Sequence, residues 1–340
     1  MRHIQSTIDT HLAKTDRPGK GVILFLTRRG YNADDGFPSD LRGGSMKIRS
    51  SIALGLMLVL LPLLGSAESA NRVTILYDAF SKSPKLTKDW GYSALVEYGG
   101  KRILFDTGND AQIFEHNVKA LGADLRKLDF VVISHRHADH TSGLTYLLSV
   151  NPAVKIYTPD ELFGLFGKPV PNTFYRKQES LPASMRYFDG NPPSSLPGGS
   201  PWPQANFVPV SSTTEVAPGI YLIPTISQTP GTLELRELSL AIRGPDGLIV
   251  VDGCSHAGVE KILDAVTRID PHVHILFGGL HQVQAPDPEV ARLSTALKEH
   301  WKLDYIAIGH CTGEPMFAAL QKTFGKRYLY AGVGAVVNIP

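Results

Sequence analysis

Short runs of apolar and β-branched residues punctuate the chain from residue 72 onward, separated by glycine- and proline-bearing turns. Arg72–Tyr77 reads as a strand. Tyr92–Tyr98 and Arg102–Phe105 flank Gly99-Gly100 and read as a hairpin whose second arm enters a turn at Asp106-Thr107-Gly108. Ile113, Val118 and Leu121 predict a helix ended by Gly122. Leu128–Ser134 is almost wholly apolar, as a strand covered on both faces should be. A helix over Gly143–Val150 and a strand at Val154–Tyr157 follow. The pattern then repeats. Leu238–Ile242 and Leu248–Val251 flank Gly244-Pro245-Asp246-Gly247, a second hairpin signal. Val259, Ile262, Leu263, Val266 and Ile269 mark one face of a helix, and His274–Phe277 a strand. Val290, Leu293, Leu297 and Trp301 mark another helix, Tyr305–Ile308 a strand, Glu314–Phe324 a helix and Val333–Ile339 a closing strand.

Residues 182–209 break this rhythm. Seven prolines crowd there among glycine and serine, which predicts irregular backbone. Because strands of the same character resume afterwards, the stretch reads as an excursion over a site mouth, a lid, in preference to a linker between domains.

Four strands end on polar motifs: Asp106-Thr107-Gly108 apart, these are the runs after Ser134, Val251, Phe277 and Ile308. Polar groups at one end of a sheet are well placed to converge. The densest is Ser134-His135-Arg136-His137-Ala138-Asp139-His140, with three imidazoles and a carboxylate in six residues. Neutral imidazole and carboxylate are the donors of zinc and similar ions. On a tight loop His135 and His137 can reach one ion while Asp139 and His140 point to a second. A surface histidine patch is the bland alternative; dense spacing straight after a buried strand speaks against it.

At this point the chain resembles the metallo-β-lactamase superfamily, whose signature His-x-His-x-Asp-His follows a hydrophobic strand. Leu104-Phe105-Asp106-Thr107-Gly108 resembles the same family's first motif. Gly253-Cys254-Ser255-His256-Ala257-Gly258, Gly278-Gly279-Leu280-His281 and Gly309-His310-Cys311-Thr312-Gly313 resemble a subgroup of dihydropterin–aminobenzene phosphate synthase-like proteins. The resemblance runs from about Val73 to the C-terminus. It implies an α+β fold, an αββα sandwich of two mixed β-sheets flanked by helices with two metal ions at one edge, zinc first with iron or manganese as alternatives. It implies that His310 is a metal ligand and that Asp106 braces the metal loop.

The sequence departs from the commonest family pattern in one respect. Gln228-Thr229-Pro230-Gly231 stands where a third histidine is usual, and the hairpin strand ends on Gly253-Cys254 in place of Gly-Asp. His256 is therefore expected to supply the missing imidazole and Cys254 to lie near the bridging position, its alternative being a small buried residue. His281 is read as a ligand, a proton donor or a substrate contact, and Asp139 as both ligand and orienter of the attacking nucleophile. A bridge between Cys254 and Cys311 stays open. The expected activity is an exported metal-dependent hydrolase acting through metal-activated water on a small ester, lactone or phosphodiester-like substrate. A synthase-like transferase and a non-enzymatic periplasmic metal-binding protein are the alternatives.

Charge and the N-terminus add location. Residues 1–67 hold nine Lys/Arg and five Asp/Glu, and the remainder 25 and 27 of the totals of 34 and 32. The remainder is near neutral and offers no broad basic field for nucleic acid. Met46-Lys47-Ile48-Arg49, the apolar Ile52–Leu64 and Gly65-Ser66-Ala67 follow the order of a secretory signal. The reading is a signal peptide at 46–67, a non-native upstream extension at 1–45 and a single domain at 68–340. The product would be periplasmic or secreted, with no stable membrane insertion after cleavage.

Overall fold

The computed structural model describes residues 71–340 apart from 162, 163, 174, 198 and 229–233. The segments 1–45 and 46–67 lie outside the described residues, as does most of Gln228-Thr229-Pro230-Gly231. Among the described residues no helix is long and apolar enough to cross a membrane.

The strands in chain order are β1 (Arg72–Tyr77), β2 (Ser93–Tyr98), β3 (Lys101–Phe105), β4 (Phe130–Val132), β5 (Lys155–Pro159), β6 (Val170–Pro171), β7 (Ser195–Leu196), β8 (Asn206–Val210), β9 (Thr214–Ala217), β10 (Ile220–Ser227), β11 (Leu235–Gly244), β12 (Gly247–Val251), β13 (Val273–Gly278), β14 (Tyr305–Ile308) and β15 (Val336–Asn338). One sheet runs β15-β1-β2-β3-β4-β5-β8 and the other β14-β13-β12-β11-β10-β9, with β6 and β7 forming a separate ribbon. Each sheet joins an antiparallel hairpin, β2-β3 or β11-β12, to parallel strands, β4-β5-β8 or β13-β14.

Side-chain alternation explains the layers. Val73, Ile75, Val96, Ile103, Phe105 and Val132 of one sheet meet Leu238, Leu240, Ile242, Ile249, Val251 and Phe277 of the other in a shared core. The opposite faces are covered by helices. Helix α1 (Ala111–Ala120) places Phe114 and Val118, and α3 (Leu144–Val150) Leu144 and Leu147, on Leu104, Val131 and Ile156; the one-turn α2 (Ala138–Thr141) precedes α3. Helices α4 (Val259–Val266), α5 (Asp287–Glu299) and α6 (Glu314–Phe324) cover Val250, Leu276 and Ile306. The α+β sandwich of two mixed sheets between helices is the architecture expected from the sequence.

Two stretches depart from the expected pattern. β10 was not legible because Pro224 interrupts it. Its pairing with β9 ends at Leu222, so the residue without an N–H sits where that edge is already unpaired. The proline-rich stretch ends in a strand, β8. Pro209 fits there because β8 is the sheet edge. Trp202, Ala205 and Phe207 pack on the outer core beside α3, and Trp202 Nε1 donates to Thr145 Oγ1 at 3.1 Å.

Candidate metal centre

Strands β3, β12, β13 and β14 each lead into a sharp turn. Asp106, Ser255, His281 and His310 adopt left-handed backbone there, with φ of 56, 62, 51 and 48°. Such conformations in residues other than glycine persist only where surrounding contacts hold them. The turns dock on one another closely enough that glycine is required. A Cβ on Gly143 would stand 2.1 Å from the carbonyl oxygen of Thr107, and one on Gly278 1.8 Å from that of Asp252.

Asp106 organises the histidine loop. Its Oδ1 accepts from the Ser134 N–H at 2.7 Å and its Oδ2 from the Ser134 hydroxyl at 2.7 Å, while His140 Nδ1 lies 2.6 Å from Oδ2. Thr107 donates through its N–H and its hydroxyl to the His140 carbonyl, at 2.8 and 2.9 Å. With Nδ1 committed to Asp106, His140 turns Nε2 toward His310 Nε2 and Cys254 Sγ, 3.2 Å from each. His135 is oriented likewise: its Nδ1 lies 2.9 Å from Ser134 Oγ and 3.7 Å from Glu237 Oε1, which turns Nε2 inward. Arg136, the odd residue between the ligand-type histidines, turns away to Glu161 at 2.8 and 2.9 Å.

The expected residues come together in two groups. Donor atoms of His135, His137 and His256 lie within 4.8 Å of one another, as do those of Asp139, His140 and His310. Cys254 joins both sides: it groups with His135 and His140, with His256 and His281, and with His310 and Cys311. Its Sγ is 3.2 Å from His140 Nε2. The structure thus brings together all of His135, His137, Asp139, His140, Cys254, His256, His281 and His310. Both cysteines are free, with Cys311 Sγ 3.7 Å from the Cys254 carbonyl. A cavity of about 460 Å³ opens on the cluster, with Trp90, Asn109, Asp139, His256 and His281 in its wall; none of the described residues of 182–209 lines it.

The donor set fits a pair of cations. Imidazole nitrogens face one another at 3.1 Å (His135 Nε2 to His137 Nδ1) and 3.2 Å (His140 Nε2 to His310 Nε2). Both His256 nitrogens and His310 Nδ1 are buried without a hydrogen-bond partner. Unpaired buried nitrogens are costly unless something binds them. Burial and the neighbouring histidines hold His135 and His256 far below the usual imidazole range, which keeps them neutral, the form that ligates. Burial, then Cys311, pushes the Cys254 thiol up, so a thiolate there calls for an adjacent positive charge.

Three further residues escaped the sequence reading. Asp78, buried at the end of β1, accepts from the His310 N–H at 3.0 Å and fixes that turn. Glu237 is buried behind His135 and accepts from the Ala257 N–H at 3.1 Å. Asp252 faces away from the cavity, accepting from Ser239 and Ser255 at 2.8 and 2.6 Å; its position just before Gly253-Cys254 is the only signal the sequence offered.

The bracing role of Asp106 yields a test. Asp106→Asn should weaken metal retention about 10–100-fold, since an amide cannot accept from three donors. Metal titration monitored by calorimetry reads this directly; unchanged affinity would show that Asp106 supports only the fold.

Comparison with known proteins agrees with this fold. A family model described as the Metallo-beta-lactamase superfamily matches residues 88–245. A solved metal-dependent hydrolase of the beta-lactamase superfamily superposes with a TM-score of 0.60 at 22% identity, covering 79% of this chain and 99% of that one. The metallo-beta-lactamase fold protein YhfI from Bacillus subtilis superposes with a TM-score of 0.52 at 13% identity, over 79% and 100%. Over residues 88–245 the chain thus matches the metallo-β-lactamase superfamily. It is also 26% identical over 278 residues to a 7,8-dihydropterin-6-methyl-4-(beta-D-ribofuranosyl)-aminobenzene-5'-phosphate synthase of Methanocaldococcus jannaschii, covering 74% of this chain and 90% of the relative.

Proposed function

We propose that this protein is a metal-dependent hydrolase of small esters, lactones or phosphodiesters, working in the periplasm or outside the cell. The observation that carries the reading is the pair of three-donor groups, with Cys254 close to members of each: His135 and His256 of one, His140 and His310 of the other. His135, His137 and His256 would hold one cation, Asp139, His140 and His310 the second, and Cys254 would stand between them. A thiolate among imidazoles suits zinc. When bound, such a pair supplies Lewis acidity and a water acidic enough to be a nucleophile near neutral pH.

The chain's own groups supply the rest. Asp139 has one oxygen 3.3 Å from His310 Nε2 and 3.6 Å from His140 Nε2, and its side chain still reaches the cavity. Its carboxyl is held well below the usual range: burial opposes this, but the hydrogen bond from His310 and the charge of His140 outweigh it. It is thus an ionised acceptor that can orient an attacking water. His281, exposed on the rim with its ring 4.1 Å from that of His256, is placed to deliver a proton to a leaving group. The signal-like segment at 46–67 supports export.

The synthase relative favours a second reading, a synthase-like group transfer. Turnover of an ester and phosphodiester panel in ¹⁸O-water separates the two. Hydrolysis predicts label in the product and loss of activity on chelation, restored by zinc. Turnover without label would indicate transfer, and metal binding with no turnover a non-enzymatic metal carrier.

A further inference from the structure

A second cavity, of about 600 Å³, adjoins the metal cleft and shares Trp90 and His310 with it. Its walls are aromatic. Phe80 stands edge-on to Phe317 at 5.5 Å and to Tyr330 at 5.6 Å, and Tyr328 completes the group. Trp90 closes the boundary, its ring 5.2 Å from that of His310. These side chains come from three places: the β1–β2 connection, helix α6 and the segment after it. Phe80, Trp90 and Tyr330 belong to none of the hydrophobic core clusters, so packing of the sandwich does not account for them. Trp90 is 46% and Val283 44% exposed at the lip, although large apolar surface left in water is unfavourable. No lysine or arginine lines the cavity, and Glu314 is its acidic residue. Lys82, outside the lining, has its Nζ 4.1 Å from the centre of the Tyr330 ring, and the Glu314 carboxylate works against an anionic group inside. A neutral planar ring has faces and edges to meet, in the offset and edge-on arrangements aromatic rings prefer. The volume is within the range of small-molecule sites.

We propose that this cavity is an aryl subsite: it seats a neutral aromatic group covalently attached to the ester or phosphodiester that reacts at the His/Cys cluster. The inference rests on the hydrolase reading for its link to reaction, but not for binding. The shared wall of Trp90 and His310 sets the geometry, since a ring stacked beside Trp90 places its substituent next to His310. The subsite thereby selects aryl-bearing substrates over alkyl ones of similar size.

The test titrates the zinc-loaded full chain with 2-naphthylmethanol and, separately, cyclohexylmethanol by calorimetry, and follows both as inhibitors of any ester or phosphodiester it hydrolyses. The naphthyl compound should bind saturably and at least about tenfold more tightly than the cyclohexyl one. It should raise KM for hydrolysis while leaving kcat unchanged. Phe80→Ala should weaken naphthyl binding by tenfold or more with zinc content retained; Tyr330→Leu, a gentler change, serves if the first variant does not fold. Equal binding of the two alcohols, or naphthyl affinity unmoved in a folded variant, would overturn the aryl subsite. Saturable naphthyl binding without hydrolysis of any substrate would support the subsite and count against the hydrolase reading alone.

Discussion

Cys254→Ala should strip both cations, whereas His256→Ala should strip chiefly one. The contrast follows from position. Sγ of Cys254 groups with donors on both sides of the centre, while His256 groups with His135 and His137 on one side and with Cys254 and His281 at the rim. Removing even a supporting group behind a ligand costs about 10–100-fold in metal affinity, so loss of the shared ligand itself should exceed about 100-fold. The alanine also leaves His140 Nε2 without the sulfur now 3.2 Å away. Metal content of the purified variants by elemental analysis reads the difference. Full retention of both ions in Cys254→Ala would reduce that residue to a small buried filler, the alternative its sequence context left open.

Gly278→Ala should be the most damaging single substitution to the fold. Its Cβ would lie 1.8 Å from the Asp252 carbonyl oxygen, and the backbone there has φ of +112°. Overpacking against rigid backbone and a left-handed conformation each cost about 1–3 kcal/mol, so the sum of roughly 2–6 kcal/mol is a large fraction of the whole stability of a typical domain. The strand pair concerned, β12 and β13, carries both Cys254 and His281. Thermal unfolding should show a large drop in midpoint or no cooperative transition. A midpoint within a degree or two of the parent would mean that the two strand ends separate without cost.

The candidate site was legible in the sequence because its metal-binding residue types are concentrated in short motifs after apolar runs. His135, His137, Asp139 and His140 lie in one loop, and a buried strand leading directly into it marks the end of a sheet. The pairing of Cys254 with His256 was also legible, since those residues stand where the usual family pattern is broken. Other features were hidden for physical reasons. Asp78 follows β1 with no neighbouring histidine, and only the fold carries it to the His310 turn, 232 residues away. Glu237 looks like an ordinary charged position in β11; what makes it unusual is complete burial behind His135, a property of packing between elements. The aromatic cavity joins Phe80, Trp90, Phe317 and Tyr330 across more than two hundred residues, and no local pattern marks such a set. Strand β10 failed the rule against proline within sheets because the rule concerns a missing hydrogen-bond donor, and Pro224 lies past the end of the β9 ladder.

A pair of cations should hold the facing imidazoles and the buried thiol together. X-ray absorption at the metal edge, with elemental analysis, on protein purified without added metal reads that pair most directly. Close to two zinc-type ions per chain are expected, with nitrogen and oxygen neighbours at about 2.0–2.1 Å and one sulfur neighbour at about 2.3 Å. A chain that emerges metal-free and takes up none on titration, or a bound metal with no sulfur in its coordination sphere, would contradict that arrangement.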